Sequence, residues 1–221
     1  MTFSLAGRCP ATGMLGGVVT TSAPAVGARC LFTRANVVVV LTQHWTDPRL
    51  GPRGLALLAE GIPAAAVAKA LEACAEAPEW RQLAVIDAQG GTAHFSGAKI
   101  KPPFAAAIGQ DCVAIGNIVR TDAVPAAMVA AFQAAAARPF PERLLAALEA
   151  GLAAGGEPKP LVSAALQVAW HAPFPYIDLR IDAAPQPITE LRTLWNAYAP
   201  NADLYTERAL SPLEVARREG R

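Results

Sequence analysis

The chain has 221 residues, of which 53% are hydrophobic, and its 19 Lys and Arg against 18 Asp and Glu leave a formal net charge of +1 at pH 7. That length suits one domain, or one domain with a tail, and buries about 70% of the unfolded surface, so the fold needs no disulfide or metal staple. The near-neutral charge gives no reason to expect nucleic acid or an acidic surface as partner, and the Ala-rich stretch from Ala123 to Ala137, interrupted by Gln133, falls short of the ~20 apolar residues that span a bilayer.

Met1–Thr20 lacks a basic start followed by a continuous apolar segment, so no signal peptide is read. Cys9, Cys30, Cys74 and Cys112 are widely spaced without a C-x-x-C pair, as expected of reduced thiols packed as small apolar groups. A soluble cytoplasmic protein is the expectation.

Thr2–Arg8 and Leu15–Ser22 read as two strands around the turn Pro10-Ala11-Thr12-Gly13. Asn36–Gln43 contains a β-branched run, Val37 to Val40, of the kind found in strands covered on both faces. A helix is expected from Gly51 through Leu58 and a second from Pro63 to Cys74, with Val67, Ala70, Leu71 and Cys74 on its inner face. Gln82–Asp87 and Thr92–Ser96 form a hairpin about Gly90-Gly91. Cys112–Val119 is an apolar strand interrupted by Gly116-Asn117.

Helices follow near Ala123–Ala136 and Pro141–Ala154, the second presenting Leu144, Leu145, Leu148 and Leu152 and stopped by Gly155-Gly156. Leu161–Trp170 and Tyr176–Asp182 are closing strands; the latter alternates, with Asp178, Arg180 and Asp182 as an outward charge ladder. Pro187–Tyr198 is the last helix, burying Ile188, Leu191, Leu194, Trp195 and Tyr198. After Pro200 the pattern fades, so a domain over 1–198 and a loosely docked or extended tail over 199–221 are expected. Strands, two helices, strands, two helices, strands and a helix fit two packed sheets with helices outside better than alternating βαβ units.

Motifs for nucleotide binding are absent: there is no G-x-G-x-x-G or Walker sequence. His44, His94 and His171 are scattered without a zinc signature, and no metal or organic cofactor is expected. His44 and Asp47 stand three apart and could share a ligand, but a loop hydrogen bond is the better explanation of the spacing. No G-x-S-x-G elbow is present for a Ser-His-Asp hydrolase.

Thr2 is the residue with most chemistry to offer. Met1 precedes a small residue, a setting in which the initiator is usually trimmed, and trimming places a hydroxyl and a free α-amine on Thr2. An α-amine titrates at about 7.7–8.0 and can take the hydroxyl proton, a known way to activate a weak nucleophile. Taken alone, Thr2 reads first as an ordinary second residue. Asn117, after a glycine in an apolar strand, offers an amide N–H to a developing oxyanion or simply satisfies a strand end. Gln43, Thr46 and Asp47, where the Val-rich strand exits, line a pocket or begin a loop; Ser22, at the end of the second strand, joins them as a substrate-binding candidate.

Many of these segments together resemble a bacterial family, the domain-of-unknown-function 1028 (DUF1028) proteins. The matching residues begin with Thr2-Phe3-Ser4, Pro10-x-x-Gly13-x-Leu15-Gly16 and Thr42-Gln43. They continue with Asp47-Pro48-Arg49-x-Gly51-Pro52-Arg53-Gly54-Leu55-x-Leu57-Leu58, Glu79-Trp80-Arg81-Gln82 and Val85-x-Asp87-x-x-Gly90. Gly116-Asn117-Ile118, the Arg143 to Gly156 segment, Ser163-Ala164-Ala165-Leu166 and Asp178-Leu179-Arg180 complete the set, in order over Thr2 to Tyr198. The resemblance implies membership of the N-terminal-nucleophile (Ntn) hydrolase superfamily, with an α+β fold in which two mainly antiparallel sheets form a four-layer αββα sandwich. It implies Thr2 as nucleophile after loss of Met1, Asn117 as oxyanion donor, and Gln43 and Asp47 near the pocket. The chain departs from the family pattern at Glu157–Val162, where members carry a basic, Gly- and Gln-containing segment, and at Asp47, where Asn is frequent.

The expected function is therefore cleavage of a small linear or cyclic amide through an acyl-enzyme, without cofactor. Two other readings stand beside it: a non-catalytic Ntn-like protein that binds a small metabolite or serves in an assembly, and an acyltransferase passing the same acyl group to an amine. The partner expected is a small-molecule amide, with no nucleic acid and no membrane; the Ala-rich helices and sheet edges are compatible with a homodimer.

Overall fold

A computed structural model describes residues 1–34 and 38–220, and its strands begin at Thr2. Strands β1 (Thr2–Arg8) and β2 (Leu15–Thr21) pair antiparallel from Phe3↔Thr20 to Arg8↔Leu15. Their turn closes on Cys9 and Met14, with Gly13 at φ 73, a left-handed conformation that glycine adopts without a Cβ penalty. A short helix α1 (Gly27–Cys30) and strand β3 (Leu31–Arg34) precede β4 (Val38–His44). Residues 36 and 37 of the expected strand lie outside the described residues; Val39, Val40 and Leu41 are fully buried, as a strand covered on both faces requires.

Helices α2 (Leu50–Ala59) and α3 (Ala64–Cys74) come next, then β5 (Arg81–Asp87), β6 (Thr92–Ser96), β7 (Phe104–Gly109) and β8 (Cys112–Asn117). Helices α4 (Ala123–Ala134) and α5 (Phe140–Ala153), strands β9 (Ser163–Ala169) and β10 (Ile177–Ile181) and helix α6 (Pro187–Tyr198) complete the layered body. The strands form a six-stranded sheet in the order β10-β9-β2-β1-β8-β7 and a four-stranded sheet in the order β3-β4-β5-β6, with every pairing antiparallel.

The period-two alternation of each strand divides its side chains between two apolar layers. Ala6, Val19, Val39, Leu41, Ile86, Val113 and Ile115 meet between the sheets. Phe3, Leu5, Val18 and Leu166 turn outward and pack beneath Met128, Phe132, Leu144, Leu148 and Leu191 of α4, α5 and α6. On the far side Val40, Leu83 and Val85 pack against Leu50, Leu58, Val67 and Leu71 of α2 and α3. The architecture is thus α+β, a four-layer αββα sandwich.

Several sequence expectations are corrected. Strands β3 and β7 were not foreseen: β3 has four residues, and β7 (Phe-Ala-Ala-Ala-Ile-Gly) is rich in a residue with poor strand propensity, held instead by its ladder to β8. Cys74 and Leu152, expected on inner faces, are exposed, both in the last turn of their helices, and Leu194 is partly exposed. Beyond Pro200, where a loosely docked or extended tail is expected, the chain forms helices α7 (Ala202–Leu210) and α8 (Pro212–Arg218). Ala202, Thr206 and Val215 are buried there, and the Tyr176 hydroxyl donates to Asp203 Oδ1 at 2.8 Å.

Candidate functional site

One end of the inter-sheet layer is polar. Alternation along β1 places Thr2 and Ser4 on the same side as Ala6, facing the second sheet. The same parity brings Thr21 of β2, Asn117 of β8, Gln43 of β4 and Gln82 of β5 into that layer, with Thr2 opposite Asn117 and Gln43 opposite Gln82 in register. All six are buried.

Their hydrogen bonds link the two sheets. Ser4 Oγ donates to Gln43 Oε1 at 2.8 Å, and Gln43 Nε2 donates to Gln82 Oε1 at 2.7 Å. Asn117 Nδ2 donates to the same Gln82 oxygen at 3.1 Å. Gln82 Nε2 in turn donates to Ser96 Oγ at 3.2 Å and to the Gly116 carbonyl at 3.1 Å. This network satisfies amides that would otherwise be costly to bury. Asn117 Oδ1 has no hydrogen-bond partner among the described residues.

Above the network a cleft of about 310 Å³ opens to the surface. Thr2 and Thr21 line it, with Ser22 and Val26 on one side, Cys30, His44 and Thr46 on another, and Arg29 and Lys159 at the rim. Met1 also lines it. The Met1 carbonyl accepts from Thr2 Oγ1 and, at 2.5 Å, from Thr21 Oγ1, while its Sδ lies 3.8 Å from Ser22 Oγ. The Thr2 and Thr21 hydroxyl oxygens are 3.4 Å apart.

Burial governs the ionisation of the surrounding groups. It lowers the pKa of the Met1 ammonium, against which the negative charge of Glu157 acts in the opposite direction. Burial pushes the Glu157 carboxyl up, opposed by hydrogen bonding from Ser22 and by that ammonium. Glu157 Oε2 accepts from the Ser22 N–H at 3.0 Å. The Cys30 thiol is pushed up by burial, and its contact to Thr46 Oγ1 at 3.5 Å only partly offsets this, so the cleft's one cysteine stays protonated and a poor nucleophile. His44 is lowered by burial and is therefore a neutral imidazole at pH 7; its Nδ1 lies 2.8 Å from the Trp80 carbonyl and its backbone is left-handed at φ 70.

The structure separates the sequence candidates. Thr2, Ser22 and Thr46 line the cleft. Gln43 lies beneath it in the amide network. Asp47 turns away and binds Arg49, with Oδ1 2.8 Å from Nε and Oδ2 2.8 Å from Nη2, so it organises the loop before α2 and shares no ligand with His44. Asn117 stands opposite Thr2 but gives its N–H to Gln82 and does not line the cleft. Thr21, Cys30 and Glu157 were not singled out as site residues, and His44 was considered only as a partner of Asp47. Thr21 was within reach of sequence reasoning, since the hairpin about Gly13 already implies that it faces Thr2. Among the described residues there is no group of three or more His, Cys, Asp or Glu placed to hold a metal ion, and no helix is long and apolar enough to cross a membrane.

Cavities of comparable or larger size lie beside Thr33 and His171 (about 380 Å³) and between Trp170 and Thr206 (about 410 Å³), but neither joins a hydroxyl nucleophile to an amine. Comparison with known proteins relates the chain to a sequence family and to a solved structure. A sequence model described as "Family of unknown function (DUF1028)" matches residues 2–191. A crystal structure of protein SPO2555 from Silicibacter pomeroyi, carrying the same family model, is similar at a TM-score of 0.83 and 31% identity, over 89% of this chain and 85% of that one. Among curated proteins none matches.

Proposed function

We propose that this chain, which belongs to the DUF1028 family, is an N-terminal-threonine amidohydrolase of the Ntn type, cleaving the C–N bond of a small linear or cyclic amide. The observation that carries the reading is the pair of hydroxyls, Thr2 Oγ1 and Thr21 Oγ1, 3.4 Å apart in the wall of a cleft, on the residue that loss of Met1 makes the first. The αββα sandwich, with Thr2 opening an inner strand of the six-stranded sheet, is the layout this chemistry uses and supports the assignment.

Removal of Met1 gives Thr2 its α-amine. Thr2 Oγ attacks the substrate carbonyl carbon while the amine accepts the hydroxyl proton. The Thr21 hydroxyl donates to the oxyanion as it forms. The protonated amine then gives its proton to the leaving nitrogen as the C–N bond breaks, leaving an ester on Thr2. Water attacks the ester, the amine takes the water proton, and collapse returns a proton to Oγ and releases the acid. In this scheme Asn117 steadies the strand end through Gln82, and Thr21 takes the oxyanion role that the family resemblance gave Asn117. No metal or organic cofactor enters any step. The free thiols suit a reducing compartment, in keeping with a cytoplasmic protein.

The test is covalent labelling of untagged protein by a simple β-lactone, with the adduct mapped by peptide mass. Label on Thr2 that disappears in Thr2→Ala supports the mechanism; equal labelling of Thr2→Ala sinks it. One observation favours the binding-protein reading: with Met1 retained, its carbonyl caps both hydroxyls and its side chain fills the space beside Ser22.

A further inference from the structure

Where the chain leaves β1, a cavity of about 300 Å³ brings together residues that the hydrolase reading does not use. Its wall includes Cys9, Gln110 and Asp111 of the β7–β8 turn, Gln133 of α4, and Arg143 in the first turn of α5. It shares no lining residue with the Thr2 cleft.

Arg143 is 8% exposed, and among the described residues no carboxylate pairs with it. Asp111, the acid in the same wall, is already held by Arg8 Nη1 at 3.0 Å. A guanidinium carries five N–H donors. Here Nε gives one to the Phe132 carbonyl at 3.4 Å, and the group lies over the Phe132 ring at 4.1 Å. Nη1 and Nη2 make no hydrogen bond among the described residues. The buried side-chain atoms left without a partner there are Asn117 Oδ1 and Glu157 Oε1, so the Arg143 terminal nitrogens are open to the cavity and not sealed in the core. A cation held this deep ordinarily has an anion against it, and the planar fork of a guanidinium matches the two oxygens of a carboxylate.

Cys9 is fixed in that wall by its backbone: its N–H donates to the Met14 carbonyl and its carbonyl accepts from the Gly13 N–H, both at 2.8 Å. We propose that this cavity is a binding site for a small monocarboxylate, held by the Arg143 guanidinium, with Cys9 as the thiol that captures a ligand carrying an electrophilic carbon. Asp111 lines the same wall, so one negative charge is accommodated better than the double charge of a phosphate. The thiol suits the role. Burial acts to raise it, but hydrogen bonding from the Thr12 hydroxyl and from the Thr12 and Ala11 N–H groups, with the charge of Arg143, brings it below its ordinary value. Cys112 is pushed up to about 11 by burial and stays a thiol. The site stands apart from Thr2 and holds whether or not Thr2 is a nucleophile.

The probe is iodoacetate, a carboxylate with a thiol-reactive carbon, set against neutral iodoacetamide on the full chain. With either reagent the Cys9 thiolate forms an S–C bond as the C–I bond breaks and iodide leaves, and peptide mass tells the two products apart. Cys9 in the urea-unfolded chain gives the intrinsic ratio of the two rates. The expected result is an iodoacetate-to-iodoacetamide ratio at folded Cys9 at least about tenfold above that reference, the gain from one charge-assisted hydrogen bond. Sodium acetate should slow iodoacetate at Cys9 more than sodium chloride or inorganic phosphate does at equal ionic strength. Arg143→Gln should return the ratio to the unfolded reference, and Arg143→Lys should keep part of the preference. Buried Cys112, left unlabelled, reports that a variant is folded. Equal ratios in the folded and unfolded chain, acetate no better than chloride, or a preference that survives in folded Arg143→Gln overturns the site. Stronger protection by phosphate than by acetate overturns the choice of ligand. If Arg143→Gln does not fold, the acetate competition on the parent chain decides.

Discussion

Gln82 is the joint of the polar layer, and its replacement by Met, close in length but without the amide, has a calculable cost. Its Oε1 accepts from Gln43 Nε2 at 2.7 Å and Asn117 Nδ2 at 3.1 Å, and its Nε2 serves the Gly116 carbonyl at 3.1 Å. Gln43, Gln82 and Asn117 are each 0% exposed, so water cannot replace the lost partner without rearrangement. The change orphans two buried donors. At roughly 1–3 kcal/mol per orphaned group, and with Gln43 Nε2 retaining only a long contact to the Thr2 carbonyl at 3.5 Å, the expected loss is about 2–6 kcal/mol. Urea denaturation followed by circular dichroism reads it as a fall in midpoint at constant slope. The paired replacement Gln82→Met with Gln43→Met removes one orphan as well as its partner, so it should destabilise by less than the sum of the two single changes. A loss under about 1 kcal/mol for Gln82→Met, or strict additivity in the pair, would refute the network as the support beneath Thr2.

Thr21→Val keeps the shape of a 4%-exposed side chain and removes the hydroxyl that donates to the Met1 carbonyl. The expected result is a loss of about 10²–10³ in the rate of Thr2 acylation with little change in urea midpoint; parental acylation by the variant would remove Thr21 from the oxyanion site. Asp47 is held below the ordinary carboxylate range by the Arg49 guanidinium, against the opposing effect of its own burial. Because the folded pKa is the lower one, its contribution is present above the unfolded value of about 3.9 and is lost as pH falls through the folded value. Arg49 is exposed, which screens the pair, so Asp47→Asn should lower stability at pH 7 by less than about 1 kcal/mol. The difference from the parent should narrow as pH falls below the unfolded value, and a gap that does not narrow contradicts the assignment.

How far the sequence could be read depended on which element carried a pattern. The hairpin about Gly13, the Val-rich β4 and the leucine stripe of α5 announce themselves because their burial is periodic, and they sufficed for the four layers. Strand β7 gives no such signal: three consecutive alanines carry little strand propensity, and only pairing with β8 makes them extended. The cleft was half legible. Thr2 stood out through the chemistry of a chain terminus, and Thr46 and Ser22 through their positions at strand ends. The family resemblance brought Asn117 and Gln43 into the expected site, yet whether an amide faces solvent or a neighbouring amide is decided by the parity of the other sheet, which the sequence does not supply. Glu157 was marked only as the start of the segment that departs from the family pattern; it follows Gly156 at φ 55, and the left-handed turn that folds it back against Ser22 is seen only in three dimensions.

The claim on which the account turns is that Thr2 bears the free α-amine. The intact mass of protein produced without an N-terminal tag tests it directly. The account predicts a mass lighter than the 221-residue chain by one methionine residue, with Thr2 as the first residue by terminal sequencing. Full-length mass, from cells with ample methionine aminopeptidase, would leave the hydroxyl without its base and Met1 in the cleft, and would contradict the amidohydrolase.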